Sequence, residues 1–292
     1  MELLPIYRLP FQWAFLIFIM FSFIGWCSEV VYVGFIHNHR FINRGFLHGP
    51  LCPVYGFGGV VILTLPPALY QTWLPLYFAS MLLCTIVEYF VSWFMEKLFH
   101  TRWWDYSKYK FNIKGRVCLL NSVLFGFMGL GVIRFVYPHM LKLLNWMGDF
   151  VINIAADAIG LVLIVDIFLT VRKLVDFAAA MEKIKSFEES LFDHYGQEVW
   201  FRGESISEMI ASVREHAREN KDKINDRILE KINNMEYFKH KACESFINRF
   251  PSMQSIQYKE ELAHLKLTLL KNKIKNKIKG KNKNIQNLKI RR

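Results

Sequence analysis

The chain has 292 residues, 53% of them hydrophobic and 16% aromatic, and carries a formal net charge of +12. The charge is local: positions 266–292 hold eleven Lys or Arg and no Asp or Glu, and taking those eleven from the chain's 37 leaves 26 basic against 25 acidic residues. That distribution excludes a basic globular nucleic-acid binder, and nucleic acid is not an expected partner, since no base-stacking aromatics are interleaved with the lysines.

Five apolar runs crowd into the first 171 residues, at 11–35, 51–69, 73–94, 117–137 and 150–171. A bilayer core about 30 Å thick takes about 20 apolar residues of helix to cross. Lipid also demands that every backbone hydrogen bond close internally, which favours helices. The fold class expected is therefore all-α: a polytopic transmembrane helical bundle of about five spans with a cytoplasmic helical tail. The first run is long and lacks a basic leader followed by a small-residue cleavage site, so it is expected to stay in the membrane.

The second run is interrupted by Pro53, Gly56, Gly58 and Gly59 and ends at Pro66-Pro67. A broken or re-entrant helix is the alternative to a full span there. With five spans, the alternating loops place Arg8 and Lys142 on one face. Arg40, Arg44, Lys97, Arg102, Lys108, Lys110, Lys114 and Arg116 fall on the other. Basic loops mark the cytoplasmic side, so the carboxyl terminus is expected in the cytoplasm. A four-span arrangement leaves the tail on the same side.

Beyond residue 171 the pattern becomes amphipathic. Leu174, Phe177, Met181, Ile184 and Leu191 recur at helical steps, so the fifth run is predicted to continue as helix past the membrane. A second tail helix is predicted over 205–237, with Ile206, Ile210, Val213, Ile224, Ile228 and Ile232 on one side. A last one carries Leu262, Leu265 and Leu269. The domain division expected is 1–171 for the membrane part, 172–265 for cytoplasmic amphipathic helices and 266–292 for a polybasic segment drawn to anionic lipid headgroups.

Carboxylates inside apolar helices are costly and each invites a functional reading. Glu29 lies near the end of the first run. Glu88 shares a helix face with Cys84 and Ser92, at successive four-residue steps. Arg116 opens the fourth run, Arg44 and His48 lead into the second, and Asp105 and Asn112 lie in the loop between. These seven residues (Glu29, Arg44, His48, Glu88, Asp105, Asn112, Arg116) form the expected polar site at the cytoplasmic side, with Glu29 and Glu88 paired to Arg44 or Arg116. Asp166 is a further candidate. The rival reading is a salt-bridge knot that only locks the helices together. Asp157 is expected to face the other way, Arg134 to snorkel, and Trp103-Trp104-Asp105-Tyr106 to serve as an interfacial belt.

The five cysteines show no C-x-x-C spacing, which reads as small buried hydrophobes or reduced thiols, and no metal site is expected. There is no Walker loop, no G-x-S-x-G and no H-E-x-x-H, so no catalytic residue and no cofactor are assigned.

Several of these motifs, in order, resemble a known bacterial family, the ABC-transporter type IV or CmpB-like membrane proteins. The resemblance is carried by Gly25-Trp26 with Glu29 and Tyr32; by Asn43-Arg44-Gly45-Phe46-Leu47 with Gly49-Pro50, Cys52-Pro53 and Tyr55-Gly56-Phe57-Gly58; and by Glu88. It continues in Trp103 to Ser107, Phe111-Asn112-Ile113 and Gly115 to Leu119. It covers about residues 11–140, with Lys110 standing where Pro is expected, and it leaves out the tail. It implies a permease-like subunit of the bacterial cell membrane, multi-pass, with a separate ATPase subunit as partner and a homodimer to complete a path. Two other classes stay open: a membrane-anchored scaffold or sensor with a partner-binding tail, and a membrane-embedded enzyme acting on lipid.

Overall fold

The structure is a computed structural model, and it describes residues 3–32, 43–201 and 206–219 together with 247, 249–250, 252–255, 259, 262–263 and 266. The chain is mostly helical, in two units. The first comprises 1–173 with 249–253, the second 174–248 with 254–292.

The first unit is built from α1 (Phe11–Glu29), α2 (Pro53–Ile62), a single turn α3 (Pro67–Tyr70), α4 (Leu74–Phe99), α5 (Leu119–Gly131) and the first part of α6 (Tyr137–Tyr195). Prolines open α2, α3 and α4, where a missing N–H costs nothing. A π-type segment, Val132–Val136, joins α5 to α6. Among the described residues, three helical stretches are long and apolar enough to cross a membrane: Phe11–Tyr32, Leu74–Phe99 and Leu119–Tyr195. The second run gives only the ten residues of α2, about 15 Å of helix, too short to cross alone. The fourth and fifth runs fall in one stretch because helix resumes directly after Gly148. That residue adopts φ 73° and ψ 156°, a backbone state that glycine reaches without a Cβ clash.

α1 packs on α2, α2 on α4, and α4 on α5. Close approach comes from glycines: a Cβ on Gly56 would lie 2.2 Å from the Ser22 hydroxyl, and one on Gly129 would lie 2.2 Å from Ser80. The shared core holds Ile17, Phe21, Ile62, Leu63, Leu76, Ile133, Tyr137, Leu144 and Ile152.

α4 shows the logic of a helix in lipid. Leu76, Ser80, Cys84, Glu88 and Ser92, four residues apart, are all buried. Phe78, Leu82, Ile86 and Phe90, at the same spacing, are all exposed. The polar stripe turns inward and the aliphatic and aromatic stripe turns outward, the reverse of a helix on a water-soluble domain.

In the second unit, Leu174, Phe177, Met181, Ile184 and Leu191 are buried, as the helical spacing predicts, and so are Met209, Ile210 and Val213 of α7 (Ile206–Glu219). The predicted helix beyond 219, Leu265, Leu269 and the polybasic segment after Lys266 lie outside the described residues, as do Arg40 and Cys243.

Candidate functional site

Three polar groups gather where α1 and α4 end and α2 and α5 begin. The first is centred on Glu29. Its Oε2 faces the Arg44 Nε at 3.6 Å, and its Oε1 accepts a 2.8 Å hydrogen bond from the Tyr55 hydroxyl. Arg44 is held by the segment 43–52, a loop folded tightly on itself. Asn43 Oδ1 accepts from the Trp26 indole and the Gly45 amide, and its Nδ2 donates to the His48 carbonyl. A Cβ on Gly45 would lie 2.9 Å from the Leu51 carbonyl oxygen, so the turn closes only around glycine. Arg249 joins this loop from far along the chain. Its guanidinium donates to the Gly45 and Leu47 carbonyls at 3.4 and 3.0 Å, its carbonyl accepts from Arg44, and Phe250 lies under the Arg44 guanidinium.

The second group fastens the same loop to α6. Asp166 accepts from the His48 and Gly49 backbone amides, each at 2.8 Å, and the His48 ring lies 3.0 Å from the Thr170 hydroxyl and 3.4 Å from Asp166. Burial, with Lys173 nearby, lowers the His48 pKa, and Asp166 opposes the shift.

The third group sits at the α4–α5 junction. Glu96 accepts from Arg102 at 2.9 Å and from Arg116 at 2.8 Å, and Arg116 also reaches the Tyr89 hydroxyl and ring. Asp105 lies 3.7 Å from Arg102 and accepts from Ser107. The loop returns through a small hairpin pairing Asn112–Ile113 with Val117–Cys118. Its tip, Lys114-Gly115, takes positive φ at both positions, as the twist of a tight hairpin demands. The Asn112 side chain closes that tip by accepting from the Gly115 amide and donating to the Tyr109 carbonyl.

Glu88 stands between the first and third groups. Its Oε1 accepts from the Tyr106 hydroxyl at 3.2 Å, and Asn121 is beside it. Burial, with Glu88 alongside, raises the Tyr106 pKa, so the phenol stays a donor.

Of the residues singled out from sequence, Glu29 and Arg44 form a pair, and His48 meets Asp166. Arg116 pairs with Glu96 rather than Glu88. Asn112 serves the hairpin and does not enter the polar groups. Trp103, read as an interfacial anchor, is 3% exposed and packs edge-on against Phe46, Phe99 and Phe250. Arg134 lies over the Trp73 ring, and Asp157 is exposed. Several participants escaped the sequence reading of the site. Glu96 continues the four-residue series 84, 88, 92, a signal masked by its neighbour Lys97, which marks the end of the span. Tyr55 stands out only within the family resemblance, and Tyr89, Thr170 and Arg249 gave no signal of their own.

No curated protein and no solved structure matches the chain. A family model does, one described as "Putative ABC-transporter type IV", over residues 16–171; it extends past the motifs quoted above to take in Asp166 and Thr170. With more than half of its length matched, the chain belongs to that family.

Proposed function

We propose that the protein is a multi-pass permease-type subunit of the bacterial cell membrane that works with a separate ATPase. The observation that carries this reading is the inward polar stripe of α4, which meets the Glu29–Arg44 and Glu96–Arg102–Arg116 groups inside a set of helices whose outer faces are apolar. Intramembrane charges placed this way mark paths or moving joints. Five crossings are counted here, with α2 as a short, broken second element and the break at Gly148 as the turn between the fourth and fifth. The tail is then cytoplasmic, its basic end at anionic headgroups, and a homodimer supplies the wall that one subunit lacks. Family membership supports transport as the class of activity, and the absence of a Walker loop in the sequence leaves ATP hydrolysis to a partner.

Co-purification of the tagged full-length protein from its own membrane in mild detergent tests this. A stoichiometric protein bearing a Walker loop is expected; its absence, with the polar groups intact, overturns the reading.

A second reading has its own support. Residues 174–248 with 254–292 form a unit with buried apolar side chains of its own, as a partner-binding scaffold or sensor would need. In that case deletion of the tail abolishes function while Glu29→Gln leaves it intact.

A further inference from the structure

Charge pairing around the polar groups is uneven, and the exception is Glu88. Glu29 has Arg44, Glu96 has Arg102 and Arg116, and Asp105 has Arg102, each within 4.0 Å, while both oxygens of Asp166 are satisfied by backbone amides. Among the described residues Glu88 has no basic partner within that distance, although it is only 8% exposed. Among the described residues no well-formed hydrogen bond reaches its second oxygen, Oε2, which is buried with the Asn121 side chain close by, and none reaches the buried hydroxyl of Ser92, one turn further along the same face. Ser80, two turns back, is likewise buried with an unpartnered hydroxyl.

The groups facing Glu88 sharpen the point. Cys84 adjoins it on α4, Tyr106 donates to it from the loop, Asn121 is beside it on α5, and Glu29 of α1 lies within electrostatic reach. Tyr55 of α2 bonds Glu29 and is coupled electrostatically to Tyr106. Among these groups none is cationic, and the charge that acts on Glu88 is another carboxylate, Glu29, itself paired with Arg44. An unpaired carboxylate removed from water is strongly disfavoured, and the group takes up a small cation instead. The described residues hold no cluster of three or more His, Cys, Asp or Glu suited to a metal ion. A single carboxyl with a phenol donor, the Asn121 amide beside it and no cationic partner suits a proton.

We propose that Glu88 is an exchangeable proton-binding site, with Tyr106 as the hydrogen-bond donor that steadies the carboxylate when the proton leaves for water. The step is a plain acid dissociation, one proton leaving one carboxyl, and needs no co-reactant. It does not rest on the permease reading, since protonation is read on the purified protein without a transported substrate.

The deciding measurement is infrared difference spectroscopy of the full chain in liposomes, wild type against Glu88→Gln, titrated across pH. The expected result is a protonated-carboxyl band present in wild type and absent from Glu88→Gln. It should fade as pH rises, by up to about tenfold in protonated fraction per pH unit beyond its midpoint. Tyr106→Phe, which removes the donor to the ionised form, shifts that midpoint upward. Three results overturn the proposal: no such band even in mild acid, a band that never titrates while the protein stays folded, or displacement of the band by sodium at fixed pH. A failed co-purification with an ATPase would leave the band untouched, so the two ideas fall separately.

Discussion

Arg116 and Glu96 meet at 2.8 Å with their side chains 10% and 11% exposed, although twenty residues separate them. Arg102 shares the same carboxylate, so one glutamate anchors both ends of the loop between α4 and α5. Removing one partner of a buried pair strands the others, at a cost of about 3–5 kcal/mol. Glu96→Ala is therefore expected to lower the melting temperature in detergent more than Arg116→Ala, because it leaves Arg116 without a carboxylate and Arg102 with Asp105 alone. In a double-mutant cycle the combined variant should lose less than the sum of the two. Strict additivity would show that the pair contributes nothing of its own.

The glycines divide into those that are filled by a neighbour and those that are not. A Cβ on Gly56 would meet the Ser22 hydroxyl at 2.2 Å and the Phe18 ring at 2.6 Å, at the crossing of α1 and α2. Gly56→Ala is expected to destabilise by about 1–3 kcal/mol. Gly131 has helical φ and ψ and nothing within 4 Å, so Gly131→Ala should be neutral or slightly stabilising. Thermal unfolding of the two variants side by side makes the comparison. Equal losses would mean that helix crossing does not depend on the small residue.

How much of this was legible in the sequence depends on the range of each interaction. The stripe at 84, 88 and 92 was visible because helical spacing alone places those side chains together. The short α2 was visible because Pro53 and Pro66 bracket it and glycines interrupt it. Leu174 to Leu191 announced a buried helical face for the same reason. The pairing of Arg116 with Glu96 was not visible. Local spacing ranks neither Glu88 nor Glu96, and the choice depends on a hairpin that turns through positive φ at Lys114 and Gly115. The Trp103 anchor reading failed because tryptophan suits both an interface and a packed pocket. Only contacts with Phe46 and Phe250, far away in sequence, decide between them. Gly148 gave no sign that it would interrupt a helix rather than a loop.

His48 makes the loop at 43–52 sensitive to acid. Its pKa in the folded protein is lowered from 6.5, first by burial and then by Lys173. The unfolded chain therefore binds more protons between the lowered value and 6.5. Stability is full above that window and falls as pH drops through it. Melting temperatures recorded from neutral to mildly acid pH should decline, and His48→Gln should flatten the slope. An unchanged slope in the variant would place the acid sensitivity elsewhere.

Asp166 is the residue through which α6 holds that loop, and its charge matters more than its shape. Both of its oxygens accept backbone N–H bonds at 2.8 Å, from His48 and Gly49. Asn has the same outline but only one accepting oxygen, so Asp166→Asn sets an amide donor against one of the two N–H groups. Hydrogen bonds to a charged acceptor contribute about 1.5–3 kcal/mol each, and at least one is lost. Hydrogen exchange at the His48 and Gly49 amides should speed up in the variant, with a lower melting temperature. Exchange at Val61 and Ile62, on the far side of α2, should change less. Should both loop amides stay as protected as in the wild type, the loop is held by Asn43, Arg44 and Arg249 without it, and Asp166 is free for another role.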